Sequence, residues 1–207
     1  MEPVWVTYAK RLQAIASTGL HFSQDEFDRE RYGEISQIAS AMLADIGSVS
    51  IERIAGLVSD FAKGYATPKI DVRGAVIEDG QVLLVRERSD GLWTLPGGFA
   101  DVGRSAAENV EKEILEEAGI QVAASRLYGV RHKAKRPYDP DARDFYKLFF
   151  LCDRADRAEP TAGVETSEAK FFPRRALPPL SRGRVIEQDI EAAFSHADGA
   201  LEAAFFD

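Results

Sequence analysis

The spacing of apolar residues changes near residue 66, from a helical period to short strand-like runs. Before that point the pattern predicts a helix from about Pro3 to Thr18 that stops at Gly19. A second helix is predicted to begin near Ser23, where the sequence S-Q-D-E has the spacing of a capping box, and Gly33 is a candidate break. A third is predicted over about 50–63. We therefore expect an all-α segment at the N-terminus.

After a predicted linker at 64–68, which contains Gly and Pro, the pattern predicts strands. Glu78-Asp79-Gly80 separates two extended runs and predicts a hairpin. A C-terminal helix is expected from Arg184 to Ser195. The predicted strands lie in the sequences KIDVRGAVIEDGQVLLVRER, QVAASRLYGVRHKA, DFYKLFFLCDR and AKFF.

One further helix is defined by local signals at both of its ends. Ser105 and Glu108 have capping-box spacing, so the helix is expected to begin at Ser105. Gly119 fits a left-handed C-terminal stop. At about 100° per residue, one apolar face is expected to bury the helix against a core. That face contains Ala106, Ala107, Val110, Ile114 and Ala118.

This helix also carries three carboxylates, on Glu113, Glu116 and Glu117. Glu113 and Glu117 are four residues apart and share the margin of the apolar face. Carboxylates that point towards a core are unfavourable unless they are paired or bind a cation, and oxygen ligands suit Mg²⁺ or Mn²⁺. The alternative is an acidic helix face exposed to water.

The stretch from Pro96 to Ile120 resembles the Nudix box, GX5EX7REUXEEXGU, in which U is a bulky aliphatic residue. Gly98 matches the first glycine, and the distal half of the motif matches in register at Glu113, Ile114, Glu116, Glu117, Gly119 and Ile120. The resemblance implies an α/β fold, the α/β/α Nudix sandwich with a mixed sheet. It also implies metal binding by the three glutamates and the carbonyl of Gly97.

Two positions depart from the box. Arg104 stands where the family has a glutamate, and Lys112 stands where it has an arginine. In the family these two residues support the glutamates. Both are cationic here and cannot pair with each other, so we expect Arg104 to pair with Asp101 or Glu108, and Lys112 to pair with a glutamate of the helix.

The N-terminal segment resembles the helical module that precedes some Nudix domains. The pattern Q-A-I-A-x-T-G-L followed by F-D-x-x-R-Y is matched at 13–20 and 27–32. The branch with this module includes CDP-choline and ADP-ribose pyrophosphatases. We predict a helical module at 1–63, a linker at 64–68 and a Nudix domain at 69–207, with the module forming a homodimer. Alternatively, its apolar residues are the core of a small bundle: Leu12, Ile15, Phe22, Phe27 and Tyr32.

Candidate substrate-binding residues lie on both sides of the box. A cluster of basic side chains stands out in this acidic chain, at His132, Lys133 and Arg136, and Tyr138 follows it. Phosphate attraction or base stacking is one interpretation, and an exposed solvated loop is the other. Trp93 is a candidate for base stacking, with packing beneath the metal loop as its alternative.

A further glutamate on a late loop often serves Nudix enzymes as base or metal ligand. Glu165 and Glu168 both match this position. We prefer Glu165, because Thr166-Ser167 after it suggests a loop, whereas Glu168 adjoins a predicted strand.

Composition narrows the class of protein. The 207 residues include 45% hydrophobic and 29% charged residues, which is the globular range. A net charge of −8 argues against a stable nucleic-acid partner. Cys152 is the single cysteine and is expected to be a buried, inert thiol. No segment has the pattern of a signal peptide or of a membrane span, so a cytoplasmic protein without a membrane partner is expected.

Together these features predict a metal-dependent pyrophosphohydrolase with a nucleotide-type substrate. The substrate would be a nucleoside diphosphate linked to another moiety, cleaved to a nucleoside monophosphate and a phosphorylated second product. Catalytic roles are expected for Glu113, Glu117 and Glu165, with Mg²⁺ or Mn²⁺ as cofactor. The alternatives are a catalytically weak nucleotide-binding or regulatory protein with a Nudix fold, and a side activity as a 3′–5′ RNA exonuclease.

Overall fold

A computed structural model describes residues 3–47, 50–52, 54 and 65–207. Two compact units contain them. The first unit comprises Met1–Lys69 and Ala134–Phe145, and the second comprises Ile70–Lys133 and Tyr146–Asp207. Most of the predicted third helix, over 50–63, lies outside the described residues.

Helix α1 of the first unit spans Val4–Phe22 and continues through Gly19, where a stop was predicted. That prediction was wrong because Gly19 serves a contact between helices. A Cβ atom built on Gly19 would lie 2.5 Å from the ring of Tyr32, so the missing side chain lets the two helices approach closely.

Helix α2 spans Glu26–Gly47, so it begins later than the capping pattern at Ser23 predicted and is not broken at Gly33. Its first turn is capped instead by Asp25, whose Oδ1 accepts a hydrogen bond from the amide of Asp28 at 3.0 Å.

In the described part of the chain, no helix combines the length and apolar character needed to cross a membrane.

Several apolar side chains of the first unit face solvent in this single chain. The buried cluster is small, and its core residues are Val6, Ala9, Leu43, Ala44 and Ile54. Four residues that were considered as core of a bundle are exposed, at fractions of 36% to 69%: Leu12, Ile15, Phe22 and Phe27. The bundle-core alternative is therefore wrong for these four. An exposed apolar surface of this kind is typical of an interaction site.

The strands and the remaining helices follow in the predicted order. The strands are β1 (Lys69–Ala75), β2 (Ile77–Glu78), β3 (Gln81–Glu87), β4 (Trp93–Thr94), β5 (Val122–His132), β6 (Phe145–Arg154), β7 (Thr166–Pro173) and β8 (Phe205–Phe206). The helices are α3 (Ala106–Ala118) and α4 (Glu187–Ala197), and α4 begins three residues later than predicted.

The strands form two four-stranded sheets. The first has the order β1-β6-β5-β8, and in the second β2, β3 and β4 are consecutive while β7 pairs with β3. β8 runs parallel to β5, whereas the pairs β5–β6 and β3–β7 are antiparallel, so the arrangement is mixed. The predicted hairpin is confirmed, with Asp79 and Gly80 both at positive φ between β2 and β3.

Each of the two helices α3 and α4 packs into its own hydrophobic core. Val110, Ile114 and Ala118 of α3 pack with Val72 and Leu83 of the sheets. The second core joins α4 to the sheets, through Ile190, Ala193 and Phe194 among others. The predicted α/β/α sandwich with a mixed sheet, preceded by a helical region, is confirmed.

The short strand β8 was not predicted. The ring of Phe205 occupies the space beside Gly129, because a Cβ built on Gly129 would lie 2.0 Å from that ring. The guanidinium of Arg131 lies 3.9 Å from the ring centroid of Phe205. A two-residue strand that is held mainly by such contacts leaves no periodic signal in the sequence.

Candidate functional site

The turn Pro96-Gly97-Gly98 is seated directly on the backbone of β1. Gly97 has φ of 145°, and a Cβ built on it would lie 2.0 Å from the carbonyl oxygen of Val72. Only glycine tolerates both that conformation and that approach. The turn is therefore held close to the sheet at Val72-Arg73.

Hydrogen bonds fix two of the three carbonyls of this turn. The Gly98 carbonyl accepts from the amide of Val72 at 2.9 Å, and the Pro96 carbonyl accepts from the amide of Gly74 at 2.9 Å. Among the described residues, no backbone hydrogen bond is made to the carbonyl of Gly97. The Gly97 carbonyl therefore stays a candidate ligand, as the resemblance to the Nudix box implies.

The helix that carries the glutamates begins and ends as its sequence predicts. Ser105 and Glu108 form the reciprocal capping box, and Gly119 ends the helix in the left-handed conformation. A buried Asn109, which the sequence analysis missed, accepts from the amide of Asp101 at 2.9 Å and donates to the carbonyl of Ser105 at 3.0 Å. Asn109 thereby holds the loop before the helix.

Glu117 joins the helix to the turn. Its side chain is 5% exposed, and its Oε2 accepts a hydrogen bond from the amide of Gly97 at 2.9 Å. Burial raises the pKa of Glu117 to about 7, against the opposing effects of Arg73 and of the Gly97 amide. The carboxylate is thus placed where a nearby cation would favour its charged form.

Glu113 lies against the same turn, whereas Glu116 points outward. A Cβ built on Gly98 would lie 3.0 Å from Oε2 of Glu113, and burial raises the pKa of Glu113. Glu116 is largely exposed and pairs with Lys112 at 3.0 Å. Within the described ranges, no three acidic, histidine or cysteine side chains form a ready-made metal cluster.

The oxygen atoms beside the turn are suitable ligands for a hard divalent cation. The ligands available are carboxylate oxygens and the Gly97 carbonyl, and two of the carboxylates are desolvated beside the turn. Oxygen ligands of this kind suit Mg²⁺ and Mn²⁺. Because burial disfavours the charged carboxylates, a bound cation would offset that cost.

The two departures from the box have different environments. Lys112 pairs with Asp101 at 3.4 Å, Glu113 at 3.7 Å and Glu116 at 3.0 Å, which confirms the predicted pairing with glutamates of the helix. Asp101 pairs with Lys112, so of the two partners expected for Arg104 the charge of Arg104 acts on Glu108. Arg104 is exposed, and its charge lowers the pKa of Glu108 only as a minor effect beside the hydrogen bonds from Ser105.

A buried ionic network lies under the turn and was not predicted. Arg73 binds Asp71 through Nε at 2.7 Å and Nη2 at 3.2 Å, and Lys147 binds Asp71 at 2.8 Å. Arg73 also donates to the carbonyl of Leu95 at 3.1 Å. Burial opposes the charge of Asp71, but Arg73 and Lys147 outweigh it and hold its pKa well below its ordinary value.

The two candidate glutamates of the late loop occupy different surroundings. The charge of Glu165 raises the pKa of both Glu113 and Glu87, although burial is the larger cause in each, so Glu165 acts on the site electrostatically. Glu168 instead forms ion pairs with Arg86 at 3.0 Å and with Lys170. Glu165 is therefore better placed than Glu168 to act with Glu113.

Glu87 is a buried carboxylate of the site that sequence analysis missed. It lies at the end of β3, and burial raises its pKa. Its Oε1 pairs with Nε of Arg184 at 3.1 Å, and Arg184 also binds Asp90 at 2.9 Å. Arg184 therefore ties the C-terminal end of β3 to the following turn. These partners are too far apart in sequence to form a recognisable motif.

Trp93 lies in the hydrophobic core, with an exposed fraction of 9%. Its ring contacts Phe172 edge to face, with centroids 4.6 Å apart. This environment favours packing, the alternative considered from the sequence, over base stacking.

The predicted substrate-binding loop is divided between the two compact units after Lys133. In the second unit, Lys133 is 8% exposed and His132 is half-buried, its ring 5.5 Å from that of Tyr146. In the first unit, Tyr138 is buried and Arg136 is half-buried. The loop is thus not the fully exposed, solvated segment of the alternative interpretation.

Two known families match successive parts of the chain. Residues 3–58 match a family described as the UDP-X-like, N-terminal oligomerisation domain. Residues 68–193 match the NUDIX domain family. The second match covers more than half of the chain, so the chain belongs to the Nudix family. Together with its similarity to ADP-ribose pyrophosphatases, this identifies a pyrophosphohydrolase.

Two similar proteins match nearly the full length of the chain, and a third matches about two thirds of it. The Bacillus subtilis protein YjhB, provisionally assigned as an ADP-ribose pyrophosphatase, is 44% identical over 98% of this chain and 97% of its own length. A solved UDP-X diphosphatase structure has a TM-score of 0.64 and 34% identity, with 99% and 98% of the two chains covered. An ADP-ribose pyrophosphatase structure from Streptococcus suis has a TM-score of 0.62 and 36% identity, with 68% and 100% covered.

The raised pKa of Glu117 predicts an unusual pH dependence of stability in the metal-free protein. Its folded pKa of about 7 exceeds the ordinary value of 4.5, so the folded state holds the proton that the unfolded state loses. Stability therefore falls as pH rises through this window, by at most about 1.4 kcal/mol per pH unit from this group. We expect Glu117→Gln to flatten the profile and to stabilise the metal-free protein at pH 8.

The measurement is urea unfolding in EDTA at a series of pH values between 4.5 and 8.5. Glu116→Gln is the matched control, because it removes a carboxylate from the same helix at an exposed position. A parent profile with no decline through this range, or an identical decline in Glu117→Gln, would contradict the assignment.

Proposed function

We propose that this chain hydrolyses the pyrophosphate bond of a nucleoside diphosphate linked to another moiety, of the ADP-ribose or CDP-choline kind. The products are a nucleoside monophosphate and a phosphorylated second product. The observation that supports this most directly is that Glu113 and Glu117 both lie against the Gly97-Gly98 turn. The full-length similarity to YjhB and to a UDP-X diphosphatase supports the substrate class.

The proposed cofactor is Mg²⁺ or Mn²⁺, held by Glu113, Glu116, Glu117 and the carbonyl of Gly97. Such an ion neutralises phosphate charge and lowers the pKa of bound water. Glu165 is proposed as the group that accepts the proton of the attacking water, because its charge already acts on Glu113. The water then attacks phosphorus in line with the leaving oxygen, and the pyrophosphate bond is cleaved.

Substrate binding is proposed for the basic loop. Within the second unit, Lys133 is proposed to supply a cation and His132 a polar ring. We propose a helical module at residues 1–63, a linker at 64–68 and a Nudix domain at 69–207; the segment Ala134–Phe145 of that domain groups with the first compact unit. The four exposed apolar residues of α1 and α2 support its assembly into a homodimer.

The first test is a panel of substrates with each metal. ADP-ribose, CDP-choline, a UDP-sugar and a short RNA are incubated with the full chain, and products are identified by ³¹P NMR. We expect turnover of at least one of the three nucleoside diphosphates in Mg²⁺ or Mn²⁺, and none in EDTA. Full turnover in EDTA would remove the metal from the proposal, and tight binding without turnover would favour the regulatory alternative.

A second prediction separates the two glutamates of the late loop. Glu165→Gln keeps the side-chain shape but loses the proton acceptor, so kcat should fall by roughly 10²-fold, the scale of a general base. Glu168→Gln is the matched control, because it loses the same charge from an outward ion pair, and its kcat should stay within about twofold of the parent. Equal losses in both variants would remove the special role of Glu165.

A third prediction concerns assembly. Ile15→Asp places a charge on a side chain that is 54% exposed in the single chain, so the fold should be kept while an apolar interface is lost. Light scattering at micromolar concentration should show a dimer for the parent and a monomer for this variant. Deletion of residues 3–62 should give a monomer or insoluble protein.

The control for assembly is Leu201→Asp, which changes an apolar residue of similar exposure, 47%, in the second unit. It should remain dimeric. A parent chain that is a soluble monomer at micromolar concentration would count against the proposed assembly.

A further inference from the structure

Several contacts attach the loop that carries Glu165 to the end of the glutamate-bearing helix, and one of them is made by a buried hydroxyl group. Thr166 is fully buried, and its Oγ1 donates to the backbone carbonyl of Glu117 at 2.8 Å. The same oxygen accepts from the amide of Gly163 at 2.8 Å. The Thr166 hydroxyl thus donates one hydrogen bond and accepts another at the same time.

The contact has a second, steric part. A Cβ atom built on Gly163 would lie 1.8 Å from the carbonyl oxygen of Glu116, so the loop lies directly on the last turn of α3. The amide of Thr161 also donates to the carbonyl of Ala118 at 2.9 Å. The loop therefore satisfies carbonyls that a helix end leaves without partners.

A β-bulge turns Thr166 towards the helix. Glu87 is opposite Thr166 and Arg86 is opposite Glu168, so Ser167 is an extra residue in β7. In a regular strand, residues three apart face opposite sides. Thr166 and Ala169 are nevertheless both buried, and Ala169 packs in the core that contains α3. Bulges of this kind often re-aim a side chain beside an active site.

Glu165 is held from its other side as well. Its carbonyl accepts from the amide of Arg88 at 3.0 Å, and Nε of Arg88 donates to the carbonyl of Val164 at 3.0 Å. The backbone of Glu165 is thus fixed between β3 and the end of α3. Thr166, whose hydroxyl binds the Glu117 carbonyl, directly follows the residue proposed as the base.

We propose that Thr166 is a positioning residue for the reaction, which fixes Glu165 relative to Glu117 through its hydrogen bond to the Glu117 carbonyl. This inference rests on the proposed function of Glu165. Thr166 itself is buried and acts through Glu165. Loss of the hydroxyl should loosen the loop and lower kcat, because a small displacement of a catalytic group has a large effect on rate.

The test compares Thr166→Val, which is close to isosteric and lacks the hydroxyl, with Thr166→Ser, which keeps it. We expect Thr166→Val to lower kcat by roughly tenfold or more, with KM changed by less than about threefold, and Thr166→Ser to restore kcat to within about threefold of the parent. If Thr166→Val does not fold, Thr166→Ala makes the same deletion without a methyl group against the carbonyl.

Two further measurements distinguish positioning from general stability. In the metal-free protein, amide hydrogen exchange of residues 163–165 should rise in Thr166→Val and not in Thr166→Ser. Tyr128→Phe is the matched control, because it removes a buried hydroxyl that donates to a helix carbonyl, that of Asp189 in α4 at 3.3 Å. Its kcat should equal that of the parent even if its melting temperature falls.

A double-mutant cycle decides whether Thr166 acts through Glu165. In a Glu165→Gln background, Thr166→Val should cost less than about twofold in kcat, because the base that it positions is absent. An undiminished loss in that background, or a normal kcat for Thr166→Val alone, would overturn the inference and leave the proposed function intact. A normal kcat for Glu165→Gln alone would instead remove the proposed base, and the inference with it.

Discussion

The hydrogen bond from the Gly97 amide to the buried carboxylate of Glu117 joins the glycine turn to the helix. Close packing on strand β1 keeps these two elements in contact. Gly97 lies on the backbone of β1, and Gly74 leaves room on the same strand for Ile114 of the helix. A buried carboxylate is unfavourable by itself, and the turn amide and the charge of Arg73 offset that cost only in part, because the pKa of Glu117 is still raised to about 7. The site is thus a consequence of close packing between a strand, a turn and one helix.

Features that depend on neighbours in sequence could be predicted. The helix from Ala106 to Ala118 has its cap, its apolar face and its stop within one stretch, and its bounds were predicted to within one residue. The hairpin at Asp79-Gly80 was predicted for the same reason. The candidate metal ligands also belong to this stretch, because a motif with fixed spacing carries both the helix and its carboxylates.

Features that depend on tertiary contacts could not be predicted. Gly19 has the sequence signature of a helix stop, but its role is to let the ring of Tyr32 approach, a contact that no local pattern encodes. Asp71 and Lys147 are 76 residues apart, and Glu87 meets Arg184 only through the fold. The helical spacing of apolar residues also identifies an apolar face on α1, but it does not show which surface packs against that face. The exposure of Ile15 and Phe22 was therefore not predicted.

The buried group of Arg73, Asp71 and Lys147 has a consequence for how such a chain can diverge. Loss of Asp71 leaves two buried cations without their shared partner, which costs about 3–5 kcal/mol, whereas replacement of all three by apolar residues of similar volume can be neutral for stability. Intermediate sequences that keep both cations without Asp71 are therefore destabilised, and Asp71 is expected to persist wherever the rest of this set of three does. Arg73 also opposes the rise in the pKa of Glu117. A relative that lacks these three residues would therefore lose this effect on the Glu117 carboxylate. The joint presence of these three residues in a relative would then mark retained carboxylate chemistry, independently of the motif in the helix.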